Sequence, residues 1–153
     1  MTSKTGGRQG ITIDVVTPAG PGHQVVSVRH DDPAHRQYRR KPCAECPWRR
    51  DTQVGDFPAE AFRISARTAY DCSERVFGCH MSGVQRPQVC AGFLLVNADN
   101  NIAVRLAQIG GHLDMDDIHA GGAELFDSYR EMAAANGVDP DDPIIAACRA
   151  NDE

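Results

Sequence analysis

The sequence predicts a small, mainly helical α+β domain with an N-terminal β-hairpin, stapled by a four-cysteine metal site. Three observations carry this expectation. Two β-rich runs flank a turn-rich spacer near the start, apolar residues recur at helical spacing through much of the later chain, and four cysteines fall in two separated clusters.

A chain of 153 residues fits one domain with a real core and leaves little for a second. Residues 11–153 are therefore read as a single metal-binding domain, preceded by a polar, Gly-rich tail over residues 1–10 that is expected to be flexible. Hydrophobic residues at 41% against 24% charged are too apolar for a disordered chain. No run reaches the roughly 18 apolar residues of a membrane span, and the first residues lack the apolar core of a secretory signal. A cytoplasmic location is expected. In a reducing compartment the six cysteines are better read as metal ligands or reactive thiols than as disulfides.

Residues 11–16 and 24–28 are rich in β-branched residues and are separated by Thr-Pro-Ala-Gly-Pro-Gly-His, which reads as a hairpin. Residues 31–41 are charged and aperiodic, a loop leading into Pro42. Pro58 suits a helical first turn, and Phe62, Ala66, Ala69 and Tyr70 continue the period, so a helix is expected over 58–70. The apolar run 91–96 leans towards helix and leads into Ile102, Leu106 and Ile109, which share one helical face. Leu125, Phe126, Tyr129, Met132 and Ala133 form the clearest helical stripe, with Gly137 as its stop. A short final helix over 143–150 would bring Cys148 onto its apolar side. Residues 71–89 show little regular pattern, and an irregular stretch inside a small domain needs an organiser.

Cys43-Ala-Glu-Cys46 has the C-x2-C spacing that lets two thiolates converge on one ion across a tight turn. Cys79, followed by His80, and Cys90 complete a set of four, with Gly78, Gly83 and Gly92 near enough to let the backbone approach the sulfurs. The ligands are thus expected to be Cys43, Cys46, Cys79 and Cys90, with His80 as an alternate for Cys79. The competing reading is four ordinary buried thiols, but Cys43 and Cys46 lie in an Arg-rich segment where core burial is unexpected. Cys148 is read as core and Cys72 as a spare thiol.

Cys43-x2-Cys46-Pro47-Trp48-Arg49, Cys79-His80 and Cys90-Ala91-Gly92-Phe93 together resemble a family of small proteins from actinobacteria and their phages, known only as a domain of unknown function. The similarity extends over about residues 42–149. It implies shared ligands and supplies no activity. Cys43 to Arg50 alone is also similar to the first half of the cluster-binding motif of iron–sulfur uracil-DNA glycosylases. The rest of that pattern is missing, including its water-activating Gly-Glu-Ala-Pro-Gly segment, so the enzymatic activity is not carried over.

The ion stays open at this point between zinc, which needs only four cysteines or three and a histidine, and a [4Fe–4S] cluster, which nearby Arg49, Arg50 and Arg86 would favour. A thiol-based enzyme is a further alternative, though Pro42 and Pro47 bracket the pair where a redox dithiol wants a strand and a helix. The stretch from His112 through Asp114, Asp116 and Asp117 to His119 fails as a calcium loop. It reads as a polar loop whose carboxylates complement the following helix N-terminus.

The net charge of −5 is uneven. Arg29, Arg36, Arg39, Arg40, Lys41, Arg49 and Arg50 oppose three acids, whereas residues 111–153 hold eleven acids and two arginines. The basic segment 36–50, with Arg40, Trp48, Arg49 and Arg50 as its contact residues, is the expected surface for an unknown protein or nucleic-acid partner. Trp48 has a second reading, as a cap that shields the sulfurs from water. With a ligand set but no catalytic constellation, the sequence reads as a zinc-type accessory or regulatory binding protein, encoded by a phage or mobile element on the resemblance above. The alternative is an iron–sulfur redox or sensor protein.

Overall fold

The computed structural model describes residues 11–30, 37–82 and 87–149, with the side chains of residues 11–14, 28–30 and 80 outside that description. The expected tail over 1–10, the loop over 31–36 with Arg36, Gly83, Arg86, the side chain of His80 and the chain end at 150–153 all lie outside the described residues.

The fold is α+β, as the sequence predicts. Strands β1 (Ile11–Gly20) and β2 (His23–His30) pair antiparallel across a two-residue turn at Pro21 and Gly22. Gly22 adopts φ +73°, which only glycine takes without strain. The strands run longer than the sequence indicates. The register shifts between Ile13 and Val15 and again between Pro18 and Gly20, so the ladder absorbs Pro18 at an irregularity rather than ending there.

A second, minimal sheet pairs β3 (Gln37–Tyr38) parallel with β4 (Gln88–Val89). Both short strands fall in segments read as irregular, because two residues are too few to carry a period. Helix α1 (Ala59–Ser65) continues into a tighter helical turn at Ala66–Ala69, which together reproduce the expected 58–70 helix with Pro58 as its N-cap. Helices α2 (Ala91–Asn97) and α3 (Ile102–Ile109) are separate: α2 ends with Ala98 as its C-cap, and Asn101 caps α3 by accepting the Val104 N–H. The buried residue of α3 is Val104, and Leu106 and Ile109 of the expected apolar face are exposed.

Helix α4 (Tyr129–Ala135) starts later than its apolar stripe. Ser128 caps it by accepting the Glu131 N–H. Leu125 and Phe126 precede it in extended backbone, where Arg50 N–H donates to the Glu124 carbonyl and Phe126 N–H to the Trp48 carbonyl. Helix α5 (Pro143–Ala146) ends short of Cys148, which is nevertheless buried at 1% exposure. No helix among the described residues is long and apolar enough to cross a membrane.

The core is one cluster built on Trp48, Phe93, Leu94, Tyr129, Met132 and Ile145, all fully buried. Buried Asn101 also fastens the irregular stretch 71–77 to α3. Its side-chain amide donates to the Arg75 carbonyl at 2.7 Å, and the Ile102 N–H donates to the Ser73 carbonyl at 2.8 Å. A polar pin thus does part of the organising that the sequence assigned to a metal.

Candidate metal centre

Cys43 and Cys46 sit on consecutive tight turns. The Cys46 N–H donates to the Cys43 carbonyl and the Arg49 N–H to the Cys46 carbonyl, both at 3.1 Å. Folding the main chain this tightly turns later amides back onto the sulfurs. The Glu45 N–H donates to the Cys43 sulfur, and the Trp48 N–H to the Cys46 sulfur, in each case from two residues downstream.

The other two cysteines come from a short antiparallel pairing. The Cys79 N–H donates to the Gln88 carbonyl at 2.7 Å and the Cys90 N–H to the Phe77 carbonyl at 2.8 Å, around a bridge between Gly78 and Val89. Ser82 closes the intervening turn by donating to the Cys79 carbonyl and accepting the Gln88 N–H. Cys90 is the N-cap residue of α2 and makes no side-chain cap hydrogen bond, while the Gly92 N–H turns to the Cys46 sulfur. Backbone N–H groups aimed at sulfur favour the thiolate form.

The two segments meet sulfur to sulfur. Cys46 Sγ and Cys90 Sγ are 3.6 Å apart, and the charge of the neighbouring Cys79 acts on the Cys43 thiol. All four cysteines are buried, at 6%, 0%, 7% and 3% exposure for Cys43, Cys46, Cys79 and Cys90. The 3.6 Å spacing is far beyond the roughly 2.05 Å of a disulfide, and all six cysteines are free. Cys46 and Cys90 form the close thiol pair of the four. Among the described residues no group of three or more His, Cys, Asp or Glu side chains is placed to hold a metal ion.

The Cys46–Cys90 pair has an asymmetric proton affinity. The hydrogen bond from Cys90, followed by the Trp48 and Gly92 amides and the Arg49 charge, brings the Cys46 thiol down to about 7 against its burial. Cys90 is pushed well above the ordinary thiol range by the same shared hydrogen bond and by burial. Burial, together with the neighbouring charge of Cys79, pushes Cys43 up to about 11. We assign the thiolate of the buried pair to Cys46, since it collects the amides.

Gly92 makes the close approach possible. A Cβ there would lie 2.6 Å from Trp48 Cβ, 2.9 Å from Trp48 Cγ and 3.2 Å from Cys46 Sγ. Gly78 has nothing nearer than the Gln88 carbonyl oxygen at 4.0 Å, so of the two described glycines in this group only Gly92 is sterically required.

Trp48 corrects one expectation. It is fully buried and offers no face to a partner. Phe77 and Tyr129 meet it edge to face at 5.8 and 5.7 Å, and Phe93 packs against it at 6.4 Å, so it stands at the aromatic centre of the core. The arginines around it are engaged by the chain's own acids. Arg49 grips Asp51 with two hydrogen bonds at 2.8 and 2.7 Å. Arg50 pairs with Glu131 and with Asp127 at 3.3 Å, donates to the Leu125 carbonyl, and lies over the Phe126 ring. Arg40 pairs with Asp117 at 2.7 Å.

The acidic loop is also corrected. Asp114 caps its own short turn and Asp117 holds Arg40, so these carboxylates fasten the loop to the cysteine segment instead of serving α4. The His119 N–H adds a bond to the Arg40 carbonyl at 2.9 Å. Sequence reasoning missed the amide donors and the Phe77, Phe93 and Tyr129 cage. The signal for the cage was present in the apolar residues beside the cysteines, but contact between them is a tertiary property.

Residues 38–149 match a family described as a family of unknown function, DUF6283. No curated protein and no solved structure matches the chain.

Proposed function

The chain belongs to the DUF6283 family, whose function is unknown, and from the cysteine geometry we propose a small zinc-binding protein of accessory or regulatory type. Cys43, Cys46, Cys79 and Cys90 hold the ion. The observation that carries this reading is the 3.6 Å separation of Cys46 Sγ and Cys90 Sγ. A tetrahedral zinc with Zn–S bonds of about 2.3 Å sets its ligand sulfurs about 3.8 Å apart. A [4Fe–4S] cluster binds each cysteine to a different iron, and so holds its thiolates around a body much larger than one ion.

Amide donors on Cys43 and Cys46 add support, since they stabilise thiolates before an ion arrives. Four protein ligands leave no open coordination position, so the centre is structural: it ties the 43–46 turn to the 79–90 pairing and leaves no site for substrate. Burial of Cys46 and Cys90 likewise denies a partner thiol or substrate access, which weighs against the thiol-enzyme reading. A partner docking on the basic segment would be anionic and would compete with Asp51, Asp117, Asp127 and Glu131 for Arg40, Arg49 and Arg50.

Metal analysis with a visible spectrum tests the proposal. Protein purified without oxygen is expected to be colourless with about one zinc per chain. Serine at any of the four positions should lower that stoichiometry, and Cys72→Ser and Cys148→Ala should preserve it. A brown protein containing iron and sulfide would replace the zinc reading by the cluster, and a metal-free folded protein would remove both.

A further inference from the structure

We infer that Asn136 and Gly137 form a latent modification site, which the C-terminal cap of α4 holds shut and which converts to aspartate and isoaspartate when that cap opens. The site is separate from the cysteines and needs no metal. Asparagine is among the thermolabile side chains, and Asn136 is the only asparagine in the chain followed by glycine. Water is the one co-reactant. The Gly137 nitrogen gives up its proton and bonds to Asn136 Cγ, the Cγ–Nδ2 bond breaks, and Nδ2 leaves as ammonia with that proton. Water then opens the cyclic imide. Cleavage at Cγ gives aspartate, and cleavage at the main-chain carbonyl carbon gives isoaspartate, whose chain runs through Cγ. Glycine leaves the attacking nitrogen unshielded because it carries no Cβ.

The cap blocks each of these movements. Gly137 sits at φ +94°. Its N–H donates to the Ala134 carbonyl at 3.1 Å, and the Val138 N–H donates to the Ala133 carbonyl at 3.1 Å. These bonds are the Schellman pair that closes a helix on a left-handed glycine. The attacking nitrogen is therefore held with its proton on Ala134. The leaving amide is held too, because Asn136 Nδ2 donates to the Met132 carbonyl at 2.8 Å. Val138 is buried and anchors the turn, whereas Gly137 is exposed, so water reaches the site. Either product undoes the cap. Aspartate exchanges the amide donor for a carboxylate, which only accepts and stands beside the Met132 carbonyl at the negative end of the helix dipole. Isoaspartate lengthens the main chain by a methylene, so the Schellman pair, which depends on fixed spacing, no longer closes on both carbonyls. Conversion thus keeps open the cap whose opening allowed it.

Full-length protein is incubated at one mildly alkaline pH and one temperature, folded in one arm and unfolded in guanidinium chloride in the other, then digested with trypsin. Cleavage after Arg130 and Arg149 isolates a peptide whose sole asparagine is Asn136, so its amide-to-acid mass change reports this site alone. The expected result is conversion at least about tenfold slower in the folded arm, the factor that about 1.4 kcal/mol of local opening supplies. In protein aged without denaturant and enriched in converted chain by anion exchange, the Gly137 and Val138 amides are expected to exchange hydrogen faster than in unconverted protein. Equal rates in the two arms, no conversion in the unfolded arm, or unchanged exchange at Gly137 and Val138 would overturn the inference.

Discussion

Gly92→Ala tests whether the close packing of Trp48 on the cysteine turn is required. The added methyl would meet Trp48 Cβ at 2.6 Å and Cγ at 2.9 Å, and comfortable carbon contacts need about 3.5–4.0 Å. Neither atom is the free end of a flexible side chain, and the ring is enclosed by Phe77, Phe93 and Tyr129, so relief demands about an ångström of movement in the densest part of the core. Overpacking of this kind costs about 1–3 kcal/mol. Alanine would recover up to about 1 kcal/mol of helix propensity, and less at the second residue of a helix. The clash wins, for a net loss of about 2 kcal/mol. With a urea dependence of about 1–3 kcal/mol per molar, the unfolding midpoint followed by circular dichroism should fall by about 1 M. The displaced methyl also presses on Cys46 Sγ, so metal content should fall together with stability. Gly78→Ala is the control, with open space to 4.0 Å and a change expected within about 0.5 kcal/mol. An unchanged or raised midpoint with full metal content in Gly92→Ala would refute the packing argument.

Two further predictions concern groups away from the sulfurs. Tyr129 donates to the Phe62 carbonyl at 2.6 Å inside the core, so Tyr129→Phe should cost about 1–2 kcal/mol in the same denaturation assay. Burial raises the Tyr129 phenol well above its ordinary range. The stability linked to it is therefore complete below about pH 10, where the unfolded phenol titrates, and is lost as pH rises toward the higher folded value. Tyr129→Phe should flatten that alkaline decline, and an identical decline in both proteins would remove Tyr129 as its source. Asp142 shows the opposite sign: its hydrogen bond from Arg63, and then the Ile144 amide, hold its carboxyl below the ordinary range. Its contribution is present above about pH 4 and disappears as pH falls through the depressed folded value, so Asp142→Asn should be less sensitive to acid than the parent, as read by melting temperature against pH.

Much of this architecture was legible in the sequence where local chemistry decides it. The hairpin was visible in its Gly-Pro turn and β-branched runs, and α1 and α5 in their helix-start prolines. Cys43 and Cys46 were legible as a pair on one turn because C-x2-C is a local signal. Elements fixed by distant partners were not. Leu125 and Phe126 fit the helical period of α4, but the backbone of residues 48–50 captures them as an extended pair, and Ser128 starts the helix behind them. Ile109 shares the period of α3 and still lies 81% exposed, because Asn101 sets the phase of that helix by pinning it to Ser73 and Arg75. Arg50 looked like a free basic surface, since Asp127 and Glu131 are far away along the chain, whereas Asp51, which holds Arg49, lies only two residues off. Trp48 followed the same rule: an arginine-rich neighbourhood suggested exposure, and the aromatic cage that buries it is assembled from three other segments.

The enclosure of Trp48 has an optical consequence. As the only indole in the chain, wholly shut away from water and 5.7 Å from the ring of Tyr129, it is placed to emit at short wavelength and to collect excitation energy from that phenol. The Cys46 sulfur beside the Trp48 amide is also a natural quencher of the indole's excited state. Opening of the core and disturbance of the cysteine turn therefore converge on one chromophore, and the molecule carries its own fluorescent gauge of the region that matters most to it.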